Sequence, residues 1–315
     1  MASYSGLPNK EYWTERLKTR FQEVEDIEGE LLKSYTDAYE KVLNEYTSLL
    51  KPFKKAGGGY NWHRIQDSVF YDVAFNVKVS RFQSMLDRIE VIINTLGTTE
   101  QRKIELLLIK TFQDNYYDIF YQMELASGYQ MAFTNLNPDR LRQIVHTHWT
   151  PDGIEFSDRI WKHKEKLTSN LKGLLEDAIK TGESPRLTAK KLKEATGNTY
   201  YNARRVIRTE TTALIAESDV MAYGELGFDE LEYNATFDSR TSEICGKLDG
   251  TRIKRSEAVV GQNIPPAHPN CRSTIEPIIP GEYIPPYKYG KNGLGDRVKI
   301  PMGMSFEEFK HVHEI

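Results

Sequence analysis

The chain has 315 residues, 39% hydrophobic and 28% charged, with a formal net charge of −3. That length suits two domains with a substantial buried core, and the near-neutral charge excludes an overall electrostatic drive toward nucleic acid or an anionic membrane. Two cysteines exclude a disulfide framework, and no run approaches the roughly 20 apolar residues of a membrane span. The opening residues lack a basic flank followed by an apolar core, so they are not read as a signal peptide. A reducing compartment is the simplest setting for the two thiols.

From Glu11 to Leu50, apolar residues fall at Leu17, Phe21, Val24, Ile27, Leu31, Tyr35, Ala38, Val42, Tyr46 and Leu49. Steps of three or four predict one stripe on a long amphipathic helix, close to a heptad seam. The stripe is either a packing face within a bundle or a docking helix for a partner. Pro52 and the glycines at 57–59 break the pattern. A second helix is predicted over 62–96, stopping at Gly97. A third starts at Thr98, where Thr98-x-x-Gln101 reads as a capping box, and runs to about Gly128. Asn137 and Pro138 open a shorter helix as cap and first residue. Residues 1–150 are therefore expected to form an α-helical domain.

Helices are next predicted over 156–180, 186–195 and 200–226, the last ending at Gly227. Residues 231–237 and 273–279 then alternate like a pair of strands. From Pro280 the chain is rich in Pro, Gly and Tyr and reads as an extended tail, closed by a short helix in "SFEEFKHVHEI". The expected fold class is α+β: a long-helix N-terminal half and a small α+β module containing a short antiparallel sheet. The expected boundaries are 1–150, 151–280 and 281–315.

Cys245 and Cys271 lie just inside the two predicted strands, and antiparallel pairing would bring their thiols together. His268, three residues before Cys271 in "PPAHPNCRS", would come with them, and Asp238 ends the first strand. Cys245, His268, Cys271 and Asp238 would make a tetrahedral zinc site. Thiolate and imidazole donors favour zinc over magnesium or calcium. The spacing leaves two other readings open: buried structural cysteines beside a hydrogen-bonded loop histidine, or a nucleophilic Cys271–His268 pair. A basic stretch carries Lys190, Lys191, Arg204 and Arg205 with Tyr200 and Tyr201 between them. It reads either as a phosphate-binding face or as a solvated helix face. Arg208 and Glu210 read either as a buried pair tying the helix to the strand module or as nuclease-like or transferase-like residues.

These pieces together resemble a known family. "RTE" at 208–210 with its small-residue helix, "DSRTSEIC" at 238–245, "LDG" at 248–250 and "PPAHPNCR" at 265–272 occur in the order and spacing of the phage head morphogenesis proteins. These are the minor head proteins of tailed bacteriophages related to the F protein of phage Mu. The resemblance covers about 155–279. It departs at one point: family members often read C-R-C where this chain reads Cys271-Arg272-Ser273, so one sulfur is missing. The resemblance implies a non-enzymatic component of the capsid interior, made in the host cytoplasm and associated with the portal protein during procapsid assembly. It implies further contacts with scaffolding or major capsid protein, weak non-specific contact with DNA at ejection, and no membrane. The rival reading is a metal-dependent nuclease or toxin-like enzyme using His268, Cys271 and Glu210.

Overall fold

The computed structural model describes residues 10–70, 81–147, 149–279 and 287–313. Helix α1 (Lys10–Leu50) is a single helix of 41 residues. Its stripe lies where the spacing puts it: Leu17, Val24, Leu31, Tyr35, Ala38, Val42 and Tyr46 are buried. Phe21, Ile27 and Leu49 are half-buried, and Leu50 rather than Leu49 closes the buried row. Pro52 then ends the helix, because proline brings no N–H for the next turn.

Helix α2 (Trp62–Phe70) begins the second predicted helix; residues 71–80 of that prediction lie outside the described residues. Helix α3 (Arg81–Ser127) runs unbroken for 47 residues, so the predicted stop at Gly97 and restart at Thr98 are wrong. The Thr98 hydroxyl does not cap a helix; it donates to the Asn94 carbonyl at 3.1 Å, inside the helix. Gly97 is there for close packing. A Cβ at this position would lie 3.0 Å from the Trp161 ring and 3.1 Å from the Lys164 stem.

Helix α4 (Pro138–Val145) has the expected cap, with Asn137 Oδ1 accepting the Arg140 N–H at 2.8 Å. Helix α5 (Phe156–Thr181) follows as predicted. Helix α6 (Pro185–Glu225) joins two predicted helices into one of 41 residues, carrying Gly197 and Asn198 inside it. Glycine costs about 1 kcal/mol of helix propensity. Here that cost is overridden, because Leu192, Thr196, Thr199 and Ala203 on either side are buried.

Strands β1 (Glu230–Asn234), β2 (Arg252–Lys254) and β3 (Thr274–Pro277) form an antiparallel sheet in the order β2-β1-β3. The predicted pairing is present, with Tyr233 opposite Ile275. The six-residue helix α7 (Glu243–Leu248) stands between β1 and β2. The tail is more structured than an extended segment. Strands β4 (Tyr287–Lys291) and β5 (Arg297–Pro301) form a hairpin, and helix α8 (Phe306–His313) ends the described chain. The tail is ordered by burial: Ile300, Phe306 and Phe309 share a core with Tyr233, Phe237, Cys245 and Cys271.

By packing, the chain divides into two units: Met1–Glu25 with Glu105–Glu155 and Arg205–Ile315, and Asp26–Ile104 with Phe156–Arg204. Helices α1, α3 and α6 contribute residues to both. Among the described residues, the regular elements of the second unit are helices. Its core takes Val42 and Tyr46 from α1, Ile65 from α2, Met85, Ile89 and Ile93 from α3, and Leu171 and Leu175 from α5. Leu31 is fully buried in the same unit. Leu31→Asp would place a charge there and should cost about 3 kcal/mol or more, read as a fall in the urea midpoint of the isolated protein. An unchanged midpoint would mean that this face is covered by a partner instead. In the described residues, no helix is long and apolar enough to cross a membrane.

Candidate metal centre

Local sequence sets each ligand in place. Ser242 caps α7 and its hydroxyl oxygen accepts the Cys245 N–H at 3.1 Å, which fixes the cysteine in the first turn. On the other side, Asn270 adopts φ 61°, a left-handed conformation that asparagine tolerates better than most residues. The turn it makes lets the Cys271 N–H donate to the His268 carbonyl at 3.1 Å. Two threonines of α6 then hold this turn. The Thr212 hydroxyl donates to the Cys271 carbonyl at 2.8 Å, and Thr209 Oγ1 accepts the Asn270 N–H at 3.0 Å.

The three side chains converge. Cys245 Sγ lies 3.2 Å from His268 Nε2 and 3.6 Å from Cys271 Sγ. The three ligand atoms all lie within 4.8 Å of one another, close enough to hold a metal ion. Both cysteines are buried and His268 is half-exposed. His268 Nδ1 sits 2.8 Å from the Pro269 carbonyl. A carbonyl only accepts, so Nδ1 donates to it and Nε2 faces the Cys245 sulfur. Metal-binding histidines are usually oriented in this way.

The two thiols perturb each other. The hydrogen bond between them pulls Cys245 down, against its burial, and pushes Cys271 up, with burial adding to the rise. A metal ion would bind both sulfurs as thiolates and release their protons. Tyr233 places its hydroxyl 3.4 Å from the Cys245 sulfur and 3.9 Å from that of Cys271. Burial, then the charge of Cys271, raise the Tyr233 phenol well above its ordinary value. Ser273, also buried, helps to lower Cys245.

Asp238 stands apart from this group. Arg272 grips its carboxylate with two bonds of 2.6 Å, and the Arg240 N–H donates to it at 2.8 Å. Burial pushes the Asp238 carboxyl up, but these donors win and hold it below the usual carboxylate range. Among the described residues the converging group is therefore Cys245, His268 and Cys271.

The other singled-out residues are dispersed. Lys191 pairs with Glu183, and Arg204 with Glu28 at 3.0 Å. Lys190 is exposed, 3.8 Å from Glu194, and Arg205 is exposed. Glu210 is buried and accepts the Trp149 indole N–H at 2.6 Å, while Arg208 lies 3.9 Å from Glu25. The tie from α6 to the cysteine loop runs through Thr209 and Thr212, the neighbours of the Arg and Glu that drew attention.

Comparison with known proteins bears on the same segment. Residues 169–276 match the family described as Phage Mu protein F like protein. The match covers about a third of the chain. The matched range takes in Cys245, His268 and Cys271 together with Thr209 and Thr212. The chain is also 22% identical over 262 residues to a protein of Enterococcus faecalis (strain ATCC 700802 / V583) named NAD(+)--arginine ADP-ribosyltransferase EFV. The alignment covers 79% of this chain and 53% of that protein, so the chain spans about half the length of the relative. No solved structure matches the chain.

Tyr233 and Ser273 are the neighbours of the thiols that sequence reasoning passed over. One signal was available for Tyr233. It sits in a strand whose alternate residues Leu231 and Tyr233 are both buried, on the strand that pairs with the segment following Cys271.

Proposed function

We propose that the chain is a bacteriophage minor head protein of the capsid interior, associated with the portal and acting in procapsid assembly and DNA delivery. The observation that carries this reading is the Mu F-like match over 169–276, with the Cys–His–Cys group inside the matched range. In this reading the protein is a structural component, and zinc is the metal. Two thiols and an imidazole form a soft donor set suited to zinc, and burial of both thiols suits a closed, structural site more than an open catalytic one. Cys245 would tie α7, and His268 and Cys271 the loop anchored on α6, to one ion. The ion would supply a cross-link; the residues of the chain would supply its orientation, through the Pro269 carbonyl and Thr212.

The relative named as an ADP-ribosyltransferase supports a coarser point, that a segment like this one occurs within longer proteins. Its named activity is not carried over. Co-expression with the portal protein of the same phage, followed by purification and electron microscopy, tests the reading. The expected result is co-purification with portal rings. Failure to associate, together with divalent-metal-dependent cleavage of DNA by the purified protein, would replace it with the nuclease-like alternative.

A further inference from the structure

Tyr233 is out of keeping with the core around it. The other buried aromatic residues of that core, Phe237, Phe306 and Phe309, end in a bare ring. Tyr233 is fully buried among them and carries a hydroxyl inward. A buried hydroxyl loses its water, and burial is costly unless a protein group takes the water's place. The groups that meet this hydroxyl are sulfurs, Cys245 Sγ at 3.4 Å and Cys271 Sγ at 3.9 Å, and Ser273 also acts on the phenol. A neutral thiol is a weak acceptor, whereas a hydrogen bond to an ionised group is roughly twice as strong as one between neutral groups. Once both sulfurs are thiolates they have no proton to give, so the phenol is the donor. The hydroxyl therefore gains most in the state that a bound metal imposes on the cysteines.

Backbone bonds fix donor and acceptor independently. The Tyr233 N–H donates to the Thr251 carbonyl at 2.9 Å, and its own carbonyl accepts the Gly250 N–H at 2.8 Å. On the other side β1 pairs Tyr233 with Ile275 of β3. Cys245 is held separately, by the Ser242 cap of α7. The sulfurs stand 3.6 Å apart. Two zinc–sulfur bonds of about 2.3 Å at a tetrahedral angle would put them roughly 3.8 Å apart. The thiols are thus already spaced for the ion, and loading it need not carry Cys245 out of reach of the phenol.

We propose that Tyr233 is a positioning residue of the metal centre, its hydroxyl donating to the Cys245 thiolate when the ion is bound. The proposal rests on the reading above, in which the Cys–His–Cys group holds zinc, and deepens it by giving a residue outside the ligand set control over metal affinity and over the charge on sulfur. Hydrogen bonds made to metal ligands hold their orientation and tune the metal, and losing one typically costs about tenfold to a hundredfold in affinity.

The test uses the full chain, loaded with zinc for affinity and with cobalt(II) for spectroscopy, since the sulfur-to-cobalt charge-transfer band reports the charge on the thiolates. Tyr233→Phe keeps the ring and removes only the oxygen. The variant should still take up one ion per chain, because its ligands are intact. It should bind zinc about tenfold to a hundredfold more weakly in competition with a chromogenic chelator. Its charge-transfer band should move to lower energy, because a sulfur that has lost a hydrogen-bond donor gives up its electrons more readily. Should that variant fold poorly, fluorotyrosine in place of Tyr233 supplies the second measurement: a more acidic phenol is a stronger donor and should move the band to higher energy. A change in the urea midpoint of Tyr233→Phe with an unmoved band and unchanged zinc affinity would make the hydroxyl a packing group and overturn the proposal, while leaving zinc binding standing. Tyrosinate absorption appearing as the wild-type chain takes up zinc would make the phenol a ligand instead of a donor, and would overturn it too. Wild-type protein that takes up neither metal would overturn the zinc reading and this proposal together.

Discussion

Truncating Lys164 to alanine should destabilise the second unit by about 3–5 kcal/mol, one of the largest effects expected of a single change in this chain. Lys164 is buried on α5. Its ammonium sits 2.5 Å from Glu100 Oε2, donates to the Tyr35 hydroxyl and lies 4.5 Å from the centre of the Tyr35 ring. Tyr35 in turn donates to the same Glu100 oxygen at 2.7 Å. Burial pulls Lys164 below its ordinary value, and Glu100 pulls it back. The other Glu100 oxygen is buried without a hydrogen-bond partner. Removing the lysine would leave a carboxylate in an apolar core with one phenol for company, which costs far more than the pair itself contributes. The double change Lys164→Met with Glu100→Met removes both charges and keeps most of the volume. It should recover most of the loss, to within about 1–2 kcal/mol of the starting protein. Urea midpoints with an unchanged m-value would measure both. Equal destabilisation of the single and double variants would show that shape, not charge, holds these helices together.

The same residue explains a misreading of the sequence. Helical stripes were legible because burial along α1 follows a spacing of three and four, and the stripe is wide and regular. Strands β1 and β3 were legible because alternation is a local property. Gly97 was not, because its meaning lies on another helix: the Trp161 ring and the Lys164 stem press against α3 at that point and would have to shift to admit even a Cβ. A local rule sees a helix terminator where tertiary packing needs a notch. Gly197 fails for a related reason, since the buried residues on either side outweigh a propensity cost of about 1 kcal/mol.

The converging group was legible in outline. Three candidate ligands close to two pairing strands are a local clue, and Cys245, His268 and Cys271 do converge. The fate of Asp238 was hidden, because it depends on Arg272, a residue whose partner the sequence does not name. The Arg272 side chain takes both carboxylate oxygens and turns a candidate ligand into a brace for the loop. The β4–β5 ribbon was hidden by composition. A Pro-, Gly- and Tyr-rich tail reads as extended, yet Gly290 is the residue that lets the hairpin lie flat on Phe237.

Chelation of zinc from the purified protein should lower its melting temperature, and each ligand variant should remove both the metal and that response. Zinc at a hundredfold excess over its dissociation constant adds about 3 kcal/mol to the folded state, provided it does not bind the unfolded chain. Cys245→Ser, Cys271→Ser and His268→Ala should each take zinc content from one ion per chain to near zero, measured by elemental analysis after gel filtration. The module should not unfold outright, because Phe237, Ile300, Phe306 and Phe309 pack a core around the cysteines. Asp238→Asn should keep its zinc while losing stability, since Arg272 and the Arg240 N–H, rather than the thiols, hold that carboxylate. Loss of zinc in Asp238→Asn would mean that the carboxylate swings to the metal. Ser273→Cys offers the positive counterpart. Ser273 lies two residues after Cys271 and is buried, and a third sulfur there would make a Cys3His set of the kind that closes structural zinc sites. Zinc affinity should rise tenfold or more, read by competition with a chromogenic chelator. Wild-type protein with no zinc after loading, and a melting temperature indifferent to chelator, would show that the two thiols and the imidazole are core packing and nothing more.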